Sequence, residues 1–318
     1  MGDFMIVRLG YVSISKSIYD DTNFKSINYT NYMKNANLER IDSIIINNLE
    51  TLNKIICFNI RNNIHFYRIT SDLVPLATLD DVSFDYIDKY SDYYKEIGNL
   101  INLHKMRVDA HPSEYTVLNS TNQKVVNDTF KILRYHVDIL KSMNIDPFVI
   151  LHVGSSVFGK KNSLTRFINN FNLLDSDIKN SILVENDDKV FNVSDVLYLC
   201  KVIKRPFVLD YLHHVCNPCE KDITCYLKDI FDTWGDMIPK VHFSSSKSKL
   251  KKEMRSHADF VNVNEFISFV ELIKSYTDRV DVMIEAKMKD EAMFRLIRQL
   301  KYLTDYTFID DTTFIVNN

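Results

Sequence analysis

Six short apolar runs in this chain each end on a residue of metal-ligand type, and this repetition restricts the fold more than any other feature. The runs are MRVDAH ending at His111, FVILH at His152, ILVE at Glu185, FVLD at Asp210, KVH at His242 and VMIE at Glu285. Each has the length of a buried strand, and each is followed by a segment of helical periodicity. Nine His and 42 Asp plus Glu among 318 residues put such a side chain at roughly one position in six. Six such endings among eight strands would arise by chance on the order of once in a thousand. Strands alternating with helices form a parallel sheet joined by right-handed crossovers. Closed into a barrel, that sheet would bring all six side chains to the mouth at the strand C-termini.

The two remaining strands are MIVRLGY (5–11) and HFYRI (65–69). A long helical pattern carries Leu38, Ile41, Ile45, Leu49, Leu52 and Ile56 on one face. Further helices are predicted near 85–104, 122–143, 163–179, 194–203, 222–233, 264–276 and 290–302. The fold class is α/β: a (β/α)8 TIM barrel, one domain over residues 1–318, with a metal site at the C-terminal mouth of the strands. A doubly wound open sheet would want a Gly-rich phosphate turn after the first strand, and GYVSIS does not supply one. Hydrophobic residues at 46% and charged residues at 25% are those of a soluble globular protein, and six Gly and six Pro leave little room for a linker. No apolar stretch reaches membrane-spanning length, and the N-terminus lacks a signal-peptide layout, so a cytoplasmic location without a membrane partner is expected. Five cysteines without a secretory signal point to reduced thiols. Cys216-Asn-Pro-Cys219 has zinc-like spacing but no second ligand pair, and reads as a loop that carries thiols.

Position separates the histidines. His111, His152 and His242 end strands, and His213 and His257 lie in the loops after strands six and seven, all on the catalytic face. His65 and His104 belong near the opposite face, and His136 sits among apolar helix positions as a packed residue. Mixed imidazole and carboxylate ligands suit Mn²⁺, Zn²⁺ or Fe²⁺. A cluster of such ions can ionise a water near neutral pH and stabilise both the attacking and leaving oxygens of a phosphodiester. Glu185, Asp210 and Glu285 would repel one another, since their own strands bring no basic residue to that level, and a multivalent cation removes the repulsion. Lys240, two residues before His242, would also face inward, toward a phosphate or a nucleophile. The loop HFSSSKSKLKKEMRSH then carries Lys247, Lys249, Lys251, Lys252 and Arg255 against the single Glu253. On the mouth of a chain of net charge −3, this is a local phosphate-binding surface, to which Lys160 and Lys161 add charge.

At RLGYVS, NNIHFYRITSDLVPLA, RVDAHPSEYTVLNS, ILHVGSS, ILVENDD, VLDYLHHVCNP, PKVHFSS, RSHAD and VMIEAKMKDEA the chain resembles the UV damage endonucleases. These are DNA-repair enzymes of the xylose-isomerase-like barrel group that also includes endonuclease IV. The segments run in family order from about residue 5 to 295. The resemblance implies a metal-dependent endonuclease that nicks DNA immediately 5′ to a UV photoproduct, extruding the damaged dinucleotide from a bent duplex. It implies up to three metal ions, usually manganese: Glu185, Asp210, His242 and Glu285 on the central one, His111 and Glu185 on a second, His213 and His257 on a third. By the same resemblance His152 is a ligand or orients one, and Glu185, Lys240 and His152 are the catalytic residues. Glu114 and Tyr115 would fill the vacated space in the duplex, and Tyr11 would contact DNA. Two positions depart from the family. Leu79 stands where it usually has a His completing the second metal site, a loss that would leave that ion weak or absent or recruit a neighbour such as Asp80 or Asp81, and Glu114 stands where it usually has Gln. The partner implied is double-stranded DNA carrying UV lesions, bound by a monomer. An abasic-site endonuclease, a sugar isomerase or epimerase, and a damage-binding paralogue without activity are the other readings of the same barrel.

Overall fold

Parallel strands flanked by helices on the outside and side chains on the inside are buried on both faces, and they read as short, nearly continuous apolar runs. The computed structural model describes residues 4–18, 22–34, 37–82, 84–250 and 252–317. The strands are β1 (Phe4–Val12), β2 (Phe66–Arg68), β3 (Arg107–Asp109), β4 (Val149–His152), β5 (Ile182–Glu185), β6 (Phe207–Asp210), β7 (Lys240–Phe243), β8 (Arg279–Ile284), β9 (Thr307–Phe308) and β10 (Thr313–Asn317). The first eight lie parallel in the order β3-β2-β1-β8-β7-β6-β5-β4. A bridge between Ala110 and Val149 brings β3 onto β4 and makes the sheet a nearly closed barrel. The expected (β/α)8 architecture is therefore present.

Around the barrel run α1 (Tyr29–Lys34), α2 (Leu38–Arg61), α3 (Ser91–Leu103), α4 (Gln123–Ser142), α5 (Lys160–Leu173), α6 (Ser176–Ser181), α7 (Val193–Ile203), α8 (Tyr211–Cys216), α9 (Thr224–Asp232), α10 (Val263–Ile273) and α11 (Lys289–Leu303). The apolar stripe of α2 is buried as its spacing requires, with Ile41, Ile45, Leu49, Leu52 and Ile56 all inaccessible. Asparagine starts four of the helices. Asn37, Asn122, Asn192 and Asn262 each accept a hydrogen bond from a first-turn backbone N–H of α2, α4, α7 and α10. Each cap stabilises its helix by about 1 kcal/mol relative to alanine. Where α3 crosses the end of α4, a Cβ on Gly98 would lie 1.9 Å from the Met143 carbonyl oxygen, so no other residue fits there without displacing backbone. No helix among the described residues is long and apolar enough to cross a membrane.

Two features below the mouth go beyond the sequence reading. The strands β9 and β10 form a hairpin, and β10 pairs antiparallel with the lower half of β1, Phe4 to Arg8. It occupies the edge that β2 leaves open, since β2 pairs with β1 only at Tyr11 and Val12. At the barrel floor, Asp281 is held by Arg8 and Arg107, and the Arg107 guanidinium lies over the rings of Phe66, Phe148 and Trp234. That plug makes the floor a structural face and leaves the chemistry to the other end.

Candidate active site at the barrel mouth

Residues i and i+2 of a strand face the same side of the sheet. Ile150 and His152, Leu183 and Glu185, Val208 and Asp210, and Lys240 and His242 are therefore same-face pairs. The lower apolar members cluster with Trp234 inside the barrel, and the upper members stand at its mouth. Glu285 follows β8 and continues the column of Met283, and His111 continues that of Asp109.

The upper layer converges on Glu185. His111 Nε2 lies 2.9 Å from Glu185 Oε2, and His152 Nε2 lies 3.9 Å from the same oxygen. Around Oε1 stand His242 Nδ1 at 3.1 Å and His213 Nδ1 at 3.3 Å. His242 Nδ1 is also 3.4 Å from Glu285 Oε1, and Asp210 Oδ2 is 3.7 Å from His213 Nδ1. Three groups of potential ligand atoms overlap here: His111, His152 and Glu185; Glu185, Asp210 and His213; Asp210, His242 and Glu285. Glu185 and Asp210 each belong to two of them. His257 stands at the margin, with Nε2 4.0 Å from Glu285 Oε2.

Burial and charge divide the carboxylates. Burial pushes Asp210 up to about 7, and Glu185 and Glu285 add to the shift. Burial acts upward on Glu285 too, but Arg68 and His242 outweigh it and hold the group well below the carboxylate range. Glu185 is likewise buried and yet held low, by His242, His152, His111 and His213. Burial lowers His152, and takes His242 down to about 4, so both are neutral imidazoles at neutral pH. His213 moves the other way, because Asp210 and Glu185 outweigh its burial. Asp210 Oδ2 and His242 Nδ1 are buried without a hydrogen-bond partner. Unpaired buried polar atoms cost free energy, and here they point into a set of oxygen and imidazole donors that suits a divalent cation.

Beneath this layer lies a second, charged one that the sequence reading did not anticipate in full. Arg68, the last residue of β2, donates to Glu285 Oε1 at 2.6 Å and to His242 Nε2 at 2.5 Å, and its Nε is 3.5 Å from Asp109 Oδ1. Asp109 in turn accepts from Lys240 Nζ at 2.5 Å, both side chains being fully buried. Burial lowers Lys240 to about 7 against the pull of Asp109, with Arg68 adding to the shift. The carboxylates thus do meet a basic residue from another strand: Glu285 pairs with Arg68, whereas Asp210 has no lysine or arginine partner among the described residues and faces only His213, at 3.7 Å.

The residues expected to face DNA separate into several groups. Tyr11 is a correction: β1 runs on to Val12, the side chain is 0% exposed, and its hydroxyl donates to Asn59 Oδ1 of α2 at 2.7 Å. It packs between barrel and helix layer, where no nucleic acid can reach. Tyr115, by contrast, is 78% exposed on the loop after β3. With Glu114, His152, Gly154, Asp188 and His213 it lines a cavity of about 650 Å³ beside the ligand cluster. In the loop after β7, Lys247 is tied to Glu253 at 2.7 Å and Arg255 lies 3.4 Å from Asp188. Lys249 and Lys252 are exposed and make no ion pair among the described residues, and Lys251 lies outside them. Lys160 pairs with Asp195 at 2.5 Å.

Neither Asp80 nor Asp81, the expected substitutes for a histidine at position 79, turns toward the cluster. Asp80 binds Lys131 at 2.5 Å, and Asp81 accepts from the Tyr29 hydroxyl at 3.0 Å. The third member beside His111 and Glu185 is His152. Cys216 and Cys219 are free thiols, hydrogen-bonded to the Met254 carbonyl and the Ser194 amide, and form no ligand group among the described residues. His136 is packed within α4, and burial takes it down to about 3. His65 pairs with Asp310 at 2.9 Å, in the loop between β9 and β10.

Comparison with known proteins gives the same answer from three directions. Residues 7–314 match the family model described as UV-endonuclease UvdE. The UV DNA damage endonuclease of Bacillus cereus (strain 03BB102) is 35% identical over 316 residues, covering 97% of this chain and 99% of that protein. The crystal structure of SacUVDE superposes with a TM-score of 0.84 at 34% identity, over 93% of this chain and 99% of the other. Endonuclease IV from Thermus thermophilus shares the fold, with a TM-score of 0.58 at 14% identity over 93% of this chain and 99% of the other.

Proposed function

The chain belongs to the UV-endonuclease family, and from that premise we propose that it is a metal-dependent DNA-repair enzyme that nicks the backbone immediately 5′ to UV photoproducts in double-stranded DNA. The observation that carries the reading is the convergence of four imidazoles on the buried Glu185, beside an Asp210 whose buried Oδ2 accepts no hydrogen bond among the described residues. Glu185, Asp210, His242 and Glu285 would hold a central ion, His111, His152 and Glu185 a second, and His213 and His257 a third, with manganese as the metal. When bound, such ions supply Lewis acidity to a phosphoryl oxygen and lower the pKa of a water.

The chain's own groups do the rest. Glu185 and Asp210, each shared by two ligand groups, fix the spacing between sites. Arg68 orients Glu285 and His242 from below, and Lys240 and Arg68 together balance the buried Asp109. Lys240 is held one layer beneath the ligands, where it supports the cluster electrostatically. His152 faces both Glu185 and the lesion-side cavity, where it would be a ligand or orient a ligand or a water. Glu114 and Tyr115 occupy the lip of that cavity, placed to fill the duplex when a damaged dinucleotide leaves it. Lys249, Lys252 and their neighbours reach phosphates without regard to sequence.

The test is a nicking assay with manganese on end-labelled duplexes carrying one pyrimidine dimer, one abasic site or no lesion. A cut just 5′ to the dimer is expected. Cutting at the abasic site alone would replace the lesion assignment. No cut on any duplex, with protein folded and metal bound, would leave a damage binder or a sugar enzyme.

A further inference from the structure

The loop after β4 ends in an aromatic residue that folding does not explain. Phe158 is 76% exposed, yet the tip that carries it is held firmly. Four successive carbonyls of this loop are each hydrogen-bonded: Ser155 by Asn119 Nδ2 at 2.7 Å, Ser156 by the Gly159 amide at 2.8 Å, Val157 by Arg166 Nη2 at 2.6 Å and Phe158 by Asn162 Nδ2 at 2.7 Å. Arg166 Nε also donates to the Asn119 carbonyl at 2.8 Å, so the same side chains staple this loop to the one that presents Tyr115. Phe158 itself sits at φ +62°, a left-handed conformation that costs an L-residue with a Cβ. Strain of that kind persists where the surroundings over-determine it, and it gathers at ligand-contacting sites. A large apolar side chain that buries almost nothing, on a rigid and strained support beside the active mouth, is built to meet something outside the protein.

Resting on the function proposed above, we infer that Phe158 is a second aromatic probe of the duplex, stacking on a base beside the lesion while Tyr115 addresses the lesion itself. Its exposed neighbours Val157 and Lys161 fit the same occupant, an apolar base step flanked by phosphate. Intact stacked steps offer a ring no face to cover, whereas a step next to an extruded dinucleotide does. Phe158 would therefore contribute to discrimination more than to general DNA affinity, unlike the lysines of the β7 loop.

The experiment measures binding of the full chain to two fluorophore-labelled duplexes of one sequence, with and without a central pyrimidine dimer. The wild type should prefer the damaged duplex, and Phe158→Ala should reduce that preference by roughly tenfold, the usual effect of removing one base–aromatic stack. Phe158→Trp should restore it, and its indole emission should be quenched by the damaged duplex only. The natural Trp234 is buried among the lower barrel residues and supplies a constant background. If Phe158→Ala keeps the wild-type preference while Tyr115→Ala loses it, the probe assignment is wrong and the damage reading stands. An unquenched indole in the damaged complex would overturn the assignment as well. A wild type that binds both duplexes alike would overturn the damage reading and this one with it.

Discussion

Arg68 allows the ligand cluster to be distinguished from a set of buried ion pairs. Its guanidinium neutralises Glu285 at 2.6 Å and also approaches Asp109 at 3.5 Å, which Lys240 holds more closely at 2.5 Å. Arg68→Met keeps most of the stem, strands the charge of Glu285 and leaves Asp109 to Lys240 alone. Breaking a buried pair by removing one partner costs about 3–5 kcal/mol, and the partial exposure of Glu285 favours the lower end. At about 2 °C per kcal/mol for a chain of this size, the metal-free variant should melt about 6 °C below the metal-free wild type. A divalent ion held by Asp210, His242 and Glu285 would take over the neutralisation. With saturating manganese the gap should then close to less than about 1 kcal/mol, because binding to the native state alone stabilises it by mass action. The assay is urea unfolding of both proteins in chelator and in manganese. The same gap under both conditions would mean that Glu285 is a structural ion-pair partner and that the metal assignment of the third ligand group is wrong.

Three further outcomes are expected. Glu185→Gln removes the carboxylate shared by two ligand groups, so bound manganese measured by equilibrium dialysis should fall by more than one ion and nicking should be lost, with lesion binding largely retained. Lys249→Ala with Lys252→Ala should lower the slope of log affinity against log salt by about 2, one for each phosphate no longer neutralised; an unchanged slope would remove the β7 loop from the DNA interface. Lys240, lowered by burial to about 7 from an ordinary 10.5, binds a proton more readily in the unfolded chain than in the folded one. Metal-free protein should therefore gain stability as pH rises from about 7 towards 10, and Lys240→Met should flatten that part of the curve; equal slopes in chelator would show that Lys240 does not titrate there.

What the sequence made legible follows from the two-residue period of a strand. Once a run ends on His, Asp or Glu, closing the barrel leaves that side chain at the mouth, which is why His152, Glu185, Asp210 and His242 could be placed from spacing alone. The same period governs the layer below, where it is harder to read. Arg68 stands two residues after Phe66 and Asp109 two before His111, both on the inward face, but a charged residue within a short apolar run resembles a strand end or an edge position until the facing strands are known. Lys240 is legible from spacing because it shares a run with His242. Tyr11 misled in the opposite way. A tyrosine close to a strand's end resembles a loop residue, and only the extension of β1 to Val12 and the hydroxyl bond to Asn59 show it to be core. The fate of Asp80 and Asp81 depended on Lys131 and Tyr29, far off in sequence, so no local pattern could reveal that they turn away from the cluster.

The departures from the family pattern acquire a physical sense from this geometry. Among the described residues His152 is the third group at the His111–Glu185 corner, and it also lines the cavity where Tyr115 and Glu114 stand. As a ligand, a side chain in both places would couple the filling of the cavity to the state of the cluster. Leu79→His would relieve His152 of that double duty. If His152 is a ligand by default, manganese should bind more tightly in Leu79→His, and His152→Ala should then cost less in that background than in the wild type. Additive effects of the two substitutions would mean that the sites do not share His152, and that it serves the cavity alone.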